Sequence, residues 1–211
     1  MTTPEVRINF SWLLFYDEVQ KLKGDYKLES HEQFEEWTTN YRQAWRKREA
    51  KILPALQDCL GVTFYKPVID VALAPFFRCK SDPLIINFRN EPDQFVDVLT
   101  HELCHVLLTD NNKLQLGNDE TPIDLEQAWQ GLFGKEHDFH TLVHIPVHAI
   151  CKYIYLDILK EPQRLSRDMD TVKTYAKAGD NPYTKAWEYV EKHDYKQLIA
   201  DLKQSYEEIK V

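Results

Sequence analysis

The stretch Asp93-Gln94-Phe95-Val96-Asp97-Val98-Leu99-Thr100-His101-Glu102-Leu103-Cys104-His105-Val106-Leu107-Leu108-Thr109 decides how this chain is read. Phe95, Val96, Val98, Leu99, Leu103, Val106, Leu107 and Leu108 recur at helical spacing. Asn90-Glu91-Pro92-Asp93 supplies a start signal and Asp110-Asn111-Asn112 a stop, so the pattern predicts a helix over about 93–109. Inside it, His101-Glu102-Leu103-Cys104-His105 forms an HExxH motif. Residues four apart on a helix face the same way, so both imidazoles can reach one metal ion. Glu102 lies about a quarter turn away, where a base can polarise a water. Zinc would bring that water's pKa toward about 7. Cys104 points about 60° from His101 and 100° from His105, which makes it a packing residue.

The bulk properties bound the rest. A chain of 211 residues with 43% hydrophobic and 28% charged residues has the makeup of one soluble globular domain, 1–211. Its net charge of -8 argues against nucleic acid and against anionic membrane surfaces. Met1-Thr2-Thr3-Pro4-Glu5 lacks the features of a signal peptide, and Phe10–Tyr16 is too short to span a bilayer. The cysteines Cys59, Cys79, Cys104 and Cys151 show no CxxC pairing, and reduced thiols imply a cytoplasmic setting.

Outward from the motif, the N-terminal part (1–60) reads as helical. Residues 8–22 carry Phe10, Trp12, Leu13, Leu14, Phe15, Val19 and Leu22 at helical spacing. Residues 31–60 read as a long helix or helix pair that Pro54 kinks or divides, with Gly61 as its stop. Three short strands are expected at Val62–Tyr65, Val68–Leu73 and Leu84–Phe88, within a segment 61–110 that also holds the motif helix. Residues 110–136 are loop-rich, with Gly117, Pro122, Gly131 and Gly134. Residues 137–160 are helical despite Pro146, and the tail 166–210 holds two or three amphipathic helices.

This order of helix, short strands and HExxH helix resembles the zincin metallopeptidases over roughly residues 50–160. The resemblance implies an α+β fold with a small sheet of three or more strands packed on the active-site helix. It also implies that the last strand before that helix, Leu84–Phe88, lines the cleft and pairs with extended substrate.

A catalytic zinc takes three protein ligands and one open position. The metzincin continuation is absent, because Leu108 and Asn111 stand where a glycine and a ligand belong. The gluzincin pattern puts the third ligand on a separate downstream helix, usually as a glutamate. Here the segment from Glu136 to His148 places His140, His144 and His148 four apart. Five of the 8 histidines fall into HExxH or this line, two plus three. An apolar stripe through Val143, Val147, Ile150, Ile154 and Ile158 sets His140 near it, His144 on its shoulder and His148 about 40° further out. An inward-facing ligand that still reaches a cleft favours His144. His148 comes second, because Pro146 could start a new helix that reorients it, with His140 and Glu136 behind. A histidine in place of the usual glutamate departs from the gluzincin pattern.

Tyr153, Tyr155 and Tyr183 are weighed as hydroxyls for a developing oxyanion, although any one of 11 tyrosines is more often structural. His193, His31 and Trp129 read as surface or core residues. The resemblance therefore implies a Zn2+-dependent hydrolase acting on a peptide or protein substrate. In it, His101 and His105 hold the metal with His144, or alternatively His148, as the third ligand, and Glu102 is the general base. The alternative is a zinc-binding, non-hydrolytic regulatory or interaction module on the same scaffold, recognised by a fourth protein ligand.

Overall fold

A computed structural model describes residues 2–21, 30–74, 78–87, 91–114, 124–175 and 181–209. Gly117, Pro122 and Phe88, named above, lie outside the described residues. The chain is α+β and mostly helical, with one mixed sheet of four strands among the described residues. The strands are β1 (Glu5–Phe10), β2 (Val68–Leu73), β3 (Lys80–Ser81) and β4 (Leu84–Ile86), in spatial order β1-β2-β4-β3. β1 and β4 run parallel to β2, and β3 pairs antiparallel with β4 across Asp82-Pro83.

Three expectations about the strands need correction. Residues 8–10 belong to β1 and not to a helix; of the described residues in that stretch Trp12–Lys21 (α1) is helical, and Leu22 lies outside the described residues. Val6, Ile8 and Phe10 alternate with the more exposed Glu5, Arg7 and Asn9, a two-residue period that a parallel partner some sixty residues away makes productive. Val62–Tyr65 forms no strand, only a single bridge from Phe64 to Asn111. β4 is flanked by both β2 and β3, so β3 is the sheet edge on that side and Leu84–Ile86 has no free edge for substrate.

The helix pair over 31–60 is α2 (His31–Arg46) and α3 (Glu49–Leu60). The break falls at Lys47-Arg48, and Pro54 sits inside an uninterrupted α3. Ser30 caps α2 by accepting from the Gln33 N–H at 3.2 Å. Gly61 ends α3 with φ 68°, a left-handed conformation that puts its N–H on the Gln57 carbonyl at 2.8 Å. A β-carbon there would stand 3.0 Å from Lys203 Cε.

The motif helix, α4, runs Pro92–Thr109. Pro92 opens it with the φ a first turn needs, and Asp93 sits where the helix dipole favours a negative charge. Asn111 closes it: its Nδ2 donates to the Leu107 carbonyl at 2.7 Å, while its Oδ1 accepts from the Lys113 and Leu114 N–H groups. Phe95, Leu99, Leu103 and Leu107 of α4 are fully buried. They share one core with Leu56 and Leu60 of α3, Val71 and Leu73 of β2, and with Leu142, Ile145 and Ile150 further along the chain.

The region 110–136 contains α5 (Leu125–Phe133). α6 (Phe139–Tyr153) follows, capped by Asp138, which accepts from the Thr141 N–H at 3.0 Å and its hydroxyl at 2.8 Å. It continues through Pro146 without a new start and passes into a π-helical turn at Ile154–Ile158. The tail forms α7 (Pro162–Tyr175), α8 (Pro182–Lys192) and α9 (Tyr195–Glu208). Among the described residues, no helix is long and apolar enough to cross a membrane.

α7 is locked to the start of α4 by a buried ion network. The Arg164 side chain is wholly inaccessible; it donates to Asp97 Oδ1 at 2.5 Å, Asp93 Oδ1 at 2.9 Å and Glu161 Oε2 at 2.6 Å. Arg167 adds a contact to Asp97 Oδ2 at 2.8 Å. Arg164 and Asp97 are the buried pair, and removing Arg164 leaves the Asp97 carboxylate in the interior with only the part-exposed Arg167 to balance it. Arg164→Met is therefore expected to cost about 3–5 kcal/mol of stability, read as a lowered urea midpoint with an unchanged slope. A loss below about 1 kcal/mol would mean that the network is solvated and contributes little.

Candidate metal centre

α4 and α6 cross so that their histidine faces meet. His101 Nε2 and His105 Nε2 stand 3.2 Å apart. One ligand atom from each of His101, His105 and His144 lies within 4.8 Å of the other two. Two nitrogens on a tetrahedral zinc at about 2.0–2.1 Å would be about 3.3 Å apart, so the motif pair is already at coordination spacing. His144 supplies the third side, with its ring centroid 4.9 Å from that of His105 and 5.6 Å from that of His101.

The tautomer of His144 follows from its surroundings. Its Nδ1 lies 2.6 Å from the His140 carbonyl, which can only accept, so Nδ1 carries the proton and Nε2 keeps its lone pair. Burial drives the charge off these rings. It pushes His105 down to about 3, aided by His144, and His144 down to about 4. His101 and His148 fall well below the ordinary histidine value, by burial first and by their neighbouring imidazoles second. Neutral imidazoles that do not repel one another are the state a cation needs. The donor set therefore fits a borderline divalent ion such as zinc.

Glu102 is buried at 7% exposure on the same helix, between the two motif histidines in sequence. Tyr183, at the start of α8, is 38% exposed and sets its ring 4.2 Å from that of His144. Tyr155 instead donates to the Asp97 carbonyl at 3.2 Å, and Tyr153 lies near Cys59 and Asp157. Cys104 is buried with its Sγ 4.0 Å from that of Cys151, as a packing residue.

The helical-wheel ranking of the downstream histidines needs revision. His140, expected near the apolar stripe, is exposed and contributes its backbone carbonyl. His148, expected further out, is fully buried and stacks on Trp187 at 4.3 Å. Its ring is 5.7 Å from His144 and 5.8 Å from His101, and neither ring nitrogen has a hydrogen-bond partner among the described residues. Glu136 is exposed, with its carboxylate 3.5 Å from His137. A single apolar stripe does not describe α6, which is buried on nearly every side from Thr141 to Cys151, Val143 excepted, and has no single inward face.

One residue without any sequence signal stands at the centre. A carboxylate oxygen of Asp168, on α7, lies within 4.8 Å of a ring nitrogen of His101 and of Cys151 Sγ. Burial, with the nearby Asp97 carboxylate, pushes Asp168 up to about 7. No family model, curated protein or solved structure matches this chain.

Proposed function

We propose that this chain is a zinc-dependent metallopeptidase that hydrolyses peptide bonds, with His101, His105 and His144 as the metal ligands and Glu102 as the general base. One observation carries the reading: three neutral imidazoles from two helices converge, the motif pair at coordination spacing and a His144 nitrogen within 4.8 Å of both, with a buried carboxylate between the motif pair in sequence. When bound, zinc supplies Lewis acidity that polarises a carbonyl and makes a water more acidic. Glu102 takes the proton of the attacking water and passes it to the leaving amine. The His140 carbonyl fixes the tautomer of His144, and burial of the rings keeps protons from competing for their lone pairs. Tyr183 is the tyrosine placed at the exposed rim, where a hydroxyl could reach a developing oxyanion.

A second reading rests on His148. Its two orphaned nitrogens beside His101 and His144 could close the shell as a fourth ligand and leave a non-hydrolytic zinc module. Zinc per chain, measured on wild type, His144→Ala, His148→Phe and Glu102→Gln, separates the two. About one zinc in wild type, His148→Phe and Glu102→Gln, with loss in His144→Ala, supports the peptidase. Loss in His148→Phe supports the closed module. No zinc in wild type after adding metal back removes both.

A further inference from the structure

We infer that Asp168 is a positioning residue for the metal centre: once a metal is bound, its carboxylate takes the Nδ1–H of His101 and so holds that ring with Nε2 toward the metal. The inference rests on the three-histidine site proposed above.

The two edges of the His101 ring face different surroundings. Nε2 faces His105 Nε2 at 3.2 Å and is committed to the metal side. His144 has its second nitrogen anchored on a carbonyl, whereas His101 Nδ1 makes no hydrogen bond among the described residues. A ligating imidazole nearly always donates its other N–H to a carboxylate, carbonyl or water, which fixes the ring and strengthens the lone pair. Two groups stand within 4.8 Å of a His101 ring nitrogen, an Asp168 carboxylate oxygen and Cys151 Sγ, so a small side-chain turn would bring one of them to hydrogen-bond distance. The thiol is the poorer acceptor, and it already faces Cys104 Sγ at 4.0 Å. Asp168 Oδ2, in contrast, is buried with no hydrogen-bond partner. A buried orphan acceptor beside an unanchored donor is a pair waiting to be made.

The helices supply the register. Asp97 and His101 are one turn apart on α4, and Arg164 and Asp168 are one turn apart on α7. Arg164 is clamped to Asp97 at 2.5 Å. A step of four residues along each helix carries that contact to the next rung, which brings Asp168 to His101. The ion network thus sets the distance between carboxylate and imidazole, and α7 reaches the metal centre without supplying a ligand.

Chelator competition on zinc-loaded wild type, Asp168→Ala and Asp168→Asn tests this, together with nitrogen NMR of the His101 ring. Asp168→Ala is expected to bind zinc about 10- to 100-fold more weakly while remaining folded by circular dichroism. Asp168→Asn, which keeps an acceptor oxygen and the shape, should recover most of that loss. The His101 Nδ1–H signal, slow to exchange in zinc-loaded wild type, should exchange freely in Asp168→Ala. Equal zinc affinity in a folded Asp168→Ala would overturn the inference and leave the three-histidine site standing. So would a second metal equivalent with a thiolate-to-cobalt band that disappears in Cys151→Ser, because Asp168 would then be a ligand. Wild type that binds no zinc would bring down the site itself.

Discussion

Glu102→Gln is expected to keep about one zinc per chain and to hydrolyse a denatured protein such as casein about 10²- to 10⁴-fold more slowly than wild type. The two residues have the same shape, and Glu102 is not among the ligand nitrogens, so metal content should not move. What is lost is the proton acceptor. The substitution therefore separates two ideas that His144→Ala joins. If the variant keeps zinc and loses turnover, Glu102 moves the proton. If wild type holds zinc and shows no turnover on any unfolded protein or peptide, the closed module with His148 gains the argument. Equal turnover in wild type and Glu102→Gln would mean that another group is the base or that the activity belongs to a contaminant.

The parts of this site that could be read from sequence are those whose geometry is local. α4 begins and ends within a residue of the expected bounds, because its apolar repeat, Pro92 and Asn111 all act over a few residues. The His101–His105 pair follows from one helical turn. His144 could be ranked first among the downstream histidines, but on a wheel that wrongly turned His140 inward and His148 outward. That wheel assumed one buried face, and α6 is enclosed by α4, α5, α8 and α9 together. β1 was missed because its partner β2 is remote in sequence, and a parallel pairing leaves only a six-residue alternation in the strand itself. Asp168 and Arg164 were out of reach for the same reason. Nothing in an amphipathic α7 reveals that one of its faces carries an arginine into the interior and a carboxylate to a histidine on another helix.

Stripped of metal, the protein is expected to lose most of its stability between pH 6.5 and pH 5. The sign follows from the lowered histidines. In the unfolded chain each titrates near 6.5, whereas in the fold His105 stays neutral to about 3 and His144 to about 4. Below pH 6.5 the unfolded state binds more protons, so stability falls as pH falls, until each folded value is passed. At pH 5 that amounts to about 2 kcal/mol for each of these two groups, and His101 and His148 act in the same direction. Asp168 opposes them: raised to about 7 in the fold, it takes up its proton there before the unfolded chain does, and it offsets about one histidine. The remainder is still a large share of the roughly 5–15 kcal/mol that holds a domain together. Urea midpoints of the metal-free protein at pH 7, 6 and 5 should fall steeply, and His148→Phe should flatten the slope by removing one titrating group. Zinc, by occupying the lone pairs, should delay the fall until acid displaces it. A metal-free protein as stable at pH 5 as at pH 7 would mean that the four imidazoles are solvated, and the argument for a dry, metal-ready centre would go with them.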